Sequence, residues 1–202
     1  MKSTSTSASN CLLSILSLSI FCIFLVYVCC ESSIPDTPEK SDAIVLFIGP
    51  EDKERLDEVV SLMQEGFSDT LLVPGRQQVI TAGMINAIQI SDNADGIRRS
   101  YPNYYQNTHI EILEAKKMMN RMGIRSAIFV SAPYHIKRIR IISDTAFDVK
   151  TRQLYFVKSR FIGEPSSYQW VFIKQSISEY AKIIHFYLYY YTGMIEQSIV
   201  SG

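Results

Sequence analysis

The sequence predicts an α/β domain with a mostly parallel sheet, preceded by one transmembrane helix. Short apolar runs of strand length alternate along most of the chain with longer segments whose apolar residues recur at helical spacing, and this alternation is typical of parallel sheets. The first thirty of the 202 residues differ, because they contain a long uncharged apolar stretch. A chain of this length forms one domain or at most two small ones.

Residues 11–30 form the predicted transmembrane helix. These twenty residues carry no charged side chain, and a helix of that length extends about 30 Å, the thickness of the hydrocarbon core of a bilayer. A cleaved secretory signal is the alternative, but it usually ends in a small-residue cleavage site, which residues 28–30 match poorly. Lys2 precedes the span and Glu31 follows it. We therefore expect the N-terminus in the cytoplasm and the domain on the extracytoplasmic side.

The domain boundaries follow from the composition on either side of this span. Residues 1–10 are a short N-terminal tail, and residues 31–40, which include two prolines, are typical of an extended linker. We expect the α/β domain to occupy residues 41–195 and a C-terminal tail to occupy residues 196–202.

Composition and charge exclude several classes of protein. Apolar residues make up 47% of the chain and charged residues 20%, which excludes wholesale disorder. Twenty basic and twenty acidic side chains give no net charge, so we expect no nucleic-acid partner. All four cysteines lie in the first thirty residues, so the rest of the chain has no disulfide, cysteine-ligated zinc or thiol catalysis. The three histidines and the scattered acids show no ligand spacing, and we expect no metal.

Four apolar runs predict the strands of the sheet. Residues 42–48 form a continuous apolar run that ends at a Gly-Pro pair, consistent with a strand buried on both faces. Residues 70–73 form a second run, which a Pro-Gly pair ends. The third and fourth strands are predicted at residues 127–130 and 153–157.

Apolar residues at helical spacing predict helices in the segments between these strands. A helix over residues 51–65 ends before Gly66, and the clearest helix, over residues 108–122, ends before Gly123. The remaining helices are predicted at residues 79–90, 134–143 and 168–191. Residues 91–106, rich in Asn, Asp, Tyr and Arg, form the longest irregular stretch.

Three loops are candidate ligand sites, because parallel sheets bind ligands beyond the carboxyl ends of their strands. They are Gly49-Pro50, Gly75-Arg76 and residues 131–138. The first is not a phosphate loop, since Pro50 has no N–H to donate. Arg76 is either a second contact for an anion or an ordinary surface residue.

Residues 131–138, Ser-Ala-Pro-Tyr-His-Ile-Lys-Arg, carry the densest chemistry in the chain. A helix beginning near Pro133 would direct free backbone N–H groups and its positive end toward the strand end. His135 and Arg138 are three residues apart and so share a helix face. An imidazole, a guanidinium and the Ser131 hydroxyl together suit a phosphate or a carboxylate. In the alternative, Ser131 caps the helix and the basic side chains form a solvated face.

The start of the helix at residues 108–122 is a further candidate. Thr108 and Glu111 fit a capping box, in which the two side chains satisfy backbone N–H groups at the helix start. Capping is the simpler interpretation, and a ligand contact by Asn107 is the alternative.

The last helix holds many apolar side chains, with four tyrosines at residues 187–191. We expect most of these side chains to pack in the core, and the alternative is that the tyrosines lie at a membrane interface. Lys174, Glu179 and Lys182 argue against a second span.

These segments together resemble the YdcF-like domain family in its membrane-anchored type. The resemblance covers about residues 41–195. It rests on Asn-Thr at 107–108 and on Val-Ser-Ala-Pro-Tyr-His-Ile-Lys-Arg at 130–138, where the family has a Val-Thr-Ser-x-Tyr-His-Met-x-Arg string. Ser-Glu-Tyr-Ala-Lys at 178–182 is similar to the family's closing helix. The loops after the first two strands depart from the family, since they lack its glycine cluster and its Ser-Gly-Gly.

The resemblance implies a Rossmann-like three-layer fold and a role in cell-envelope or surface-polysaccharide maintenance. With the loop positions, it makes His135 and Glu111 catalytic candidates. The ligand-binding candidates are Gly49, Gly75, Arg76, Asn107, Thr108, Ser131, Tyr134 and Arg138. S-adenosylmethionine is implied as a cofactor only because one cytoplasmic member binds it. The expected partners are the membrane, a small anionic ligand and envelope-assembly proteins.

Three functions stay open from the sequence. In the first, Arg138 clamps an anionic ligand and His135 acts as acid or base, with hydrolysis or transfer at a phosphate-linked envelope precursor as the reaction. The second is a binding module that senses a ligand such as S-adenosylmethionine without chemistry. The third is a scaffold in a membrane complex, with the tyrosine-rich last helix as its interface.

Overall fold

The structure, a computed structural model, describes residues 15–17, 19, 36–49, 51–87, 107–148, 150–162 and 169–191. The chain divides into two compact units, Met1–Ile34 and Pro35–Gly202. The predicted span at residues 11–30 lies almost entirely outside the described residues. Among the residues that are described, no helix combines the length and the apolar character needed to cross a membrane.

Five strands and four α-helices make up the described part of the second unit. In chain order they are β1 (Ala43–Leu46), α1 (Asp52–Gln64), β2 (Thr70–Val73), β3 (Gln78–Thr81), α2 (Asn107–Met122), β4 (Ser126–Ser131), α3 (Ile136–Ala146), β5 (Gln153–Lys158) and α4 (Gln169–Tyr191). Short 3₁₀ turns at Pro74–Arg76 and Ala82–Ala87 flank β3.

The strands form one sheet in the order β3-β2-β1-β4-β5. β1, β2, β4 and β5 are parallel, and β3 runs antiparallel to β2. The prediction of an α/β domain with a mostly parallel sheet is therefore confirmed. The chain builds outward from β1 through β2 and β3 and then returns to the other side of β1 as β4. The strand order thus reverses between β1 and β4, where such sheets bind ligands.

The predicted helix at residues 79–90 is wrong for residues 79–81, which belong to β3, whereas Ala82–Ala87 form a 3₁₀ helix. Val79 and Ile80 belong to β3 and pair with Leu72 and Leu71 of β2. Gln77 precedes them in the left-handed region at φ 54° and turns the chain back on itself. An edge strand of four residues has too few alternations to be distinguished from a helical turn by its apolar pattern.

The apolar core lies on both faces of the sheet, because each central strand is buried on both sides. All four β1 residues have no exposed surface, and they alternate between the two faces. α1 covers one face, and α2, α3 and α4 cover the other. α4 contributes Phe186, which is 1% exposed, whereas Tyr191 on the same helix is 79% exposed. The expectation that most of the last helix is core holds for only part of its surface.

The described part of the predicted linker lies along the outer edge of β5. The Asp36 backbone N–H donates to the Phe156 carbonyl (3.1 Å), and the Asp36 carboxylate accepts the Phe156 N–H (2.8 Å). The same carboxylate forms an ion pair with Arg140 (2.6 Å). This segment therefore covers an edge strand that would otherwise present unpaired backbone groups.

Candidate functional site at the carboxyl ends of the strands

Four helices bring charged side chains to the carboxyl ends of β1, β2 and β4. α1 contributes Arg55, α2 contributes Glu111, α3 contributes Arg138 and α4 contributes Glu179. His135 lies in the turn between β4 and α3. These side chains come from segments far apart in the chain, and they meet at the point where the strand order reverses.

Arg55 is the most deeply buried of these charges, with 1% of its surface exposed. Its Nη1 donates to the Phe47 carbonyl (2.8 Å) and its Nη2 to the Glu51 carboxylate (2.9 Å). Its Nε is buried and has no partner among the described residues. A Cβ on Gly49 would lie 2.5 Å from Nη1, so glycine lets the guanidinium pack against the β1 loop.

The backbone amide of Gly49 donates to the Asp52 carboxylate. Asp52 is the first residue of α1, where a carboxylate is favoured by the helix dipole. The amide is thus engaged inside the protein, in keeping with the prediction that this turn is not a phosphate loop.

Tyr134 and Glu51 connect the loop between β4 and α3, residues 132–135, to the start of α1. The Tyr134 hydroxyl donates to the Glu51 carboxylate at 2.6 Å. Burial alone would raise the pKa of Glu51, but the hydrogen bonds from Tyr134 and Arg55 hold that pKa below its usual value. Burial and the Glu51 charge together raise the pKa of Tyr134. The Tyr134 ring also packs on the His135 ring, with centroids 4.5 Å apart.

Arg138 is the centre of a buried polar network. Its Nε donates to Glu179 Oε2 (2.5 Å) and its Nη1 donates to Thr108 Oγ1 (2.6 Å). Its Nη2 lies 2.9 Å from His135 Nδ1, and the same Nδ1 lies 3.1 Å from Glu179 Oε2. Lys182 donates to the other oxygen of Glu179 (2.6 Å). Arg138 and Glu179 are 5% and 6% exposed, so the ion pair at the centre of this network is shielded from water.

The network sets the charge of two of its members. Burial by itself would raise the pKa of Glu179, but the hydrogen bond with His135 and the charge of Arg138 bring that pKa down to about 2. Burial lowers the pKa of His135, with Glu179 opposing and Arg138 adding to the effect. At neutral pH the site therefore holds an ionised Glu179 beside a neutral imidazole.

Glu111, on α2, lies beside the loop that follows β2. Its Oε1 would be 2.5 Å from a Cβ on Gly75, so its carboxyl packs directly on the β2 loop. Burial raises the pKa of Glu111 to about 8, although the charges of Arg55, Arg138 and Arg76 oppose the rise. The carboxyl is thus protonated at neutral pH in spite of three nearby arginines.

Two interpretations of this edge need correction. The helix at α2 begins at Asn107, and the Thr108 hydroxyl accepts from Arg138, which replaces the predicted capping box. The N–H groups of His135 and Ile136 both donate to the Ala132 carbonyl. These amides are therefore not free for an anion, because α3 begins only after a hydrogen-bonded turn.

The structure brings most of the predicted site residues to one place. They are Gly49, Gly75, Arg76, Thr108, Glu111, Tyr134, His135 and Arg138. Ser131 is fully buried, and its hydroxyl has no partner among the described residues, so it does not cap α3. Asn107 is the first residue of α2, but its side chain is not among those that the structure describes.

The sequence did not indicate Glu179, Arg55 and Glu51 as members of the site. Glu179 counted as a charge that argues against a second span and as part of the stretch that resembles the family's closing helix. Its one signal is that a carboxylate interrupts the apolar face of the last helix, since such a charge is buried only with a partner. Arg55 and Glu51, at i and i+4 spacing, were indistinguishable from an exposed helical ion pair.

Among the described residues, no group of three or more histidine, cysteine, aspartate or glutamate side chains is arranged to hold a metal ion. Comparison with protein-family models, with curated proteins and with solved structures finds no match to this chain. Functional inference therefore depends on the geometry of the strand ends.

Proposed function

We propose that this chain is a membrane-anchored, Rossmann-like protein of the YdcF-like type that binds a small phosphate- or carboxylate-bearing ligand. The ligand would lie at the carboxyl ends of β1, β2 and β4, and the role would be maintenance of the cell envelope or of surface polysaccharide. The predicted span at residues 11–30 supports the anchor. The reversal of strand order between β1 and β4 supports the location of the ligand.

One observation carries the proposal: two buried arginines act on the same two titratable groups. Arg55 and Arg138 both influence the pKa of Glu111 and that of His135. An anion that approaches Glu111 would meet these guanidinium groups and that of Arg76. Glu111, protonated at neutral pH, would add a hydrogen-bond donor and no negative charge. This combination suits the oxygens of a phosphate or a carboxylate.

His135 supplies the acid–base group of the site. Its side chain is 18% exposed, and its Nε2 has no hydrogen-bond partner among the described residues. A neutral imidazole of this kind can accept a proton from an attacking hydroxyl or donate one to a leaving group. Hydrolysis or transfer at a phosphate-linked envelope precursor is the reaction that we propose for it.

S-adenosylmethionine fits the β1 loop poorly. The Gly49 amide already donates to Asp52, and the Arg55 guanidinium occupies the space over Gly49. We assign this cofactor no role and include it as one arm of the ligand test.

A scaffold function is the second candidate, because α4 exposes an apolar face. Ile177, Ile184, Leu188 and Tyr191 are each at least 60% exposed. Their spacing places them on one side of the helix. A partner helix or a membrane component could cover that side without using the strand ends.

Ligand-induced stabilisation of the full-length chain tests the first function against the second. The ligands are inorganic phosphate, sugar phosphates, nucleotides, S-adenosylmethionine and head-group analogues of polyprenyl phosphates. A ligand at 100 times its Kd adds about 2.7 kcal/mol, which raises the Tm by roughly 5–10 °C for a domain of this size. We expect Arg76→Gln to reduce the shift and Arg121→Gln, at the far end of α2, to preserve it.

The absence of any shift in the wild-type chain would overturn ligand binding. In that case Ile184→Ser and Leu188→Ser, which alter only the exposed face of α4, would be tested for loss of a partner. A shift that Arg76→Gln and Arg121→Gln leave equally large would place the ligand elsewhere on the protein.

A further inference from the structure

His135 Nδ1 lies between two groups of opposite charge. Glu179 Oε2 is 3.1 Å away and Arg138 Nη2 is 2.9 Å away. In a neutral imidazole each nitrogen either donates or accepts. Nδ1 can therefore donate to Glu179 or accept from Arg138, and the two contacts require opposite tautomers.

The surroundings of Glu179 favour the tautomer with the proton on Nδ1. Glu179 is buried, and Lys182 and Arg138 each donate to one of its oxygens. A bare Nδ1 would direct its lone pair at an ionised oxygen in a site shielded from water, which is costly. A protonated Nδ1 instead gives that oxygen another charge-assisted hydrogen bond.

Arg138 does not need the contact with His135. Its Nε stays on Glu179 at 2.5 Å and its Nη1 stays on Thr108 at 2.6 Å. These two hydrogen bonds therefore hold the guanidinium when Nη2 gives no hydrogen to the imidazole and moves out of hydrogen-bond distance of Nδ1.

From this geometry we propose that Glu179 is a positioning residue that holds the proton of His135 on Nδ1 and leaves Nε2 as the proton acceptor. The inference rests on the proposed ligand site and sharpens it, because it makes His135 a base rather than a donor. Nε2 would take one proton from a water or hydroxyl group as its oxygen forms a bond to the phosphorus of the ligand. The phosphate-ester bond on the other side breaks, and the proton then passes to the oxygen that leaves. The imidazolium that forms would be stabilised by the Glu179 carboxylate, as in other carboxylate–histidine pairs.

The position of Glu179 makes α4 part of the site. His135 and Glu179 are 44 residues apart in the chain, so the orientation of the base depends on how α4 packs. A change that displaces α4 from α3 would alter the protonation of His135 without touching the strand ends.

The tautomer can be read from the imidazole nitrogen shifts in NMR spectra of the ¹⁵N-labelled full-length chain in detergent micelles. The chain has three histidines, so His135→Gln identifies the signals of His135. In the wild-type chain we expect a protonated Nδ1 and a bare Nε2. Glu179→Ala removes the carboxylate acceptor and leaves the Arg138 Nη2 donor as the contact of Nδ1, so we expect the proton to move to Nε2 and the two nitrogen shifts to exchange. Lys182→Gln removes another partner of Glu179 and should leave the tautomer unchanged.

A wild-type spectrum with the proton on Nε2 would overturn the proposal. So would a Glu179→Ala chain that remains folded, by its backbone amide spectrum, and keeps the wild-type tautomer. If Glu179→Ala does not fold, the wild-type spectrum decides alone. The measurement uses no ligand, so its failure leaves ligand binding standing, and a failure of ligand binding does not alter the tautomer.

Discussion

The two ends of the same parallel strands are built in different ways. At the amino ends, the Asp42 carboxylate accepts backbone N–H groups of Arg125 (2.8 Å) and Ser126 (2.9 Å) and so connects β1 to β4. These hydrogen bonds are exposed to solvent. At the carboxyl ends, Arg138 and Glu179 bind each other and are almost wholly buried.

The exposed hydrogen bonds at the amino ends and the buried ion pair at the carboxyl ends contribute differently to stability. An exposed carboxylate on backbone amides fixes the alignment of two strands, and water can replace much of what it contributes. A buried ion pair often adds little to stability compared with apolar side chains of the same size. The buried charges of Arg55, Arg138 and Glu179 at the carboxyl ends are therefore consistent with the ligand site proposed above.

The largest expected effect contrasts one carboxylate from each end. Glu179→Ala leaves the buried guanidinium of Arg138 without its partner, and we expect the free energy of unfolding to fall by about 3–5 kcal/mol. Asp42→Ala removes exposed hydrogen bonds to the backbone, and we expect a loss of about 1 kcal/mol. Denaturant unfolding of the full-length chain measures both. Equal losses would mean that the two ends do not differ in the way described.

A smaller effect concerns pH and the protonated carboxyl of Glu111. Its pKa is about 8 in the folded chain, against an ordinary value of 4.5. The folded chain therefore binds a proton that the unfolded chain releases over that interval, so the free energy of unfolding falls as the pH rises. Between pH 6 and pH 8 we expect Glu111 alone to contribute a fall of about 2 kcal/mol. His109 and His135 offset part of this fall, because burial lowers the pKa of each in the folded chain.

Glu111→Gln should remove this fall, because the amide does not titrate. Asp57→Asn changes an exposed carboxylate on α1 and should follow the wild-type curve. Tm measured across the pH range distinguishes them. A Glu111→Gln curve parallel to that of the wild-type chain would show that the Glu111 carboxyl titrates normally.

The smallest effect concerns the glycine beside that carboxyl. In Gly75→Ala the new methyl group would lie 2.5 Å from Glu111 Oε1 and 2.8 Å from Ile48 Cδ1. Such crowding costs about 1–3 kcal/mol. Within the described part of the chain, a Cβ on Gly83 meets no atom within 4 Å, so Gly83→Ala should leave the Tm nearly unchanged. If both substitutions were equally harmless, Glu111 Oε1 would not pack closely against Gly75.

Apolar continuity predicted the central strands, because a strand buried on both faces needs apolar residues at every position. The strand at residues 70–73 has the predicted bounds. β3 was missed because it lies at the edge of the sheet, where Val79 is 43% exposed. An edge strand does not need an apolar residue at every position, so it lacks the continuous apolar run of the central strands. Burial on both faces is thus visible in the sequence, and membership of an edge strand is not.

The same distinction holds for the site. The spacing of His135 and Arg138 is local, and the structure shows the contact that helical spacing predicts. Their partner Glu179 is set by the packing of α4 on α3, which no local pattern encodes. Glu111 was singled out as a capping residue by its spacing from Thr108, while its burial beside Gly75 depends on where β2 ends.

The segment at Asp36, which lies along the outer edge of β5 as a strap, has a mechanical consequence. Tension on the chain ahead of residue 36 would enter the fold at the outer strand β5. It would act on the two hydrogen bonds between Asp36 and the Phe156 backbone and on the Arg140 ion pair. These contacts would break one after another, starting at Asp36, before the force reached β1 or β4. The strap would act as a weak link that yields first and leaves the strand ends with their charged side chains undisturbed.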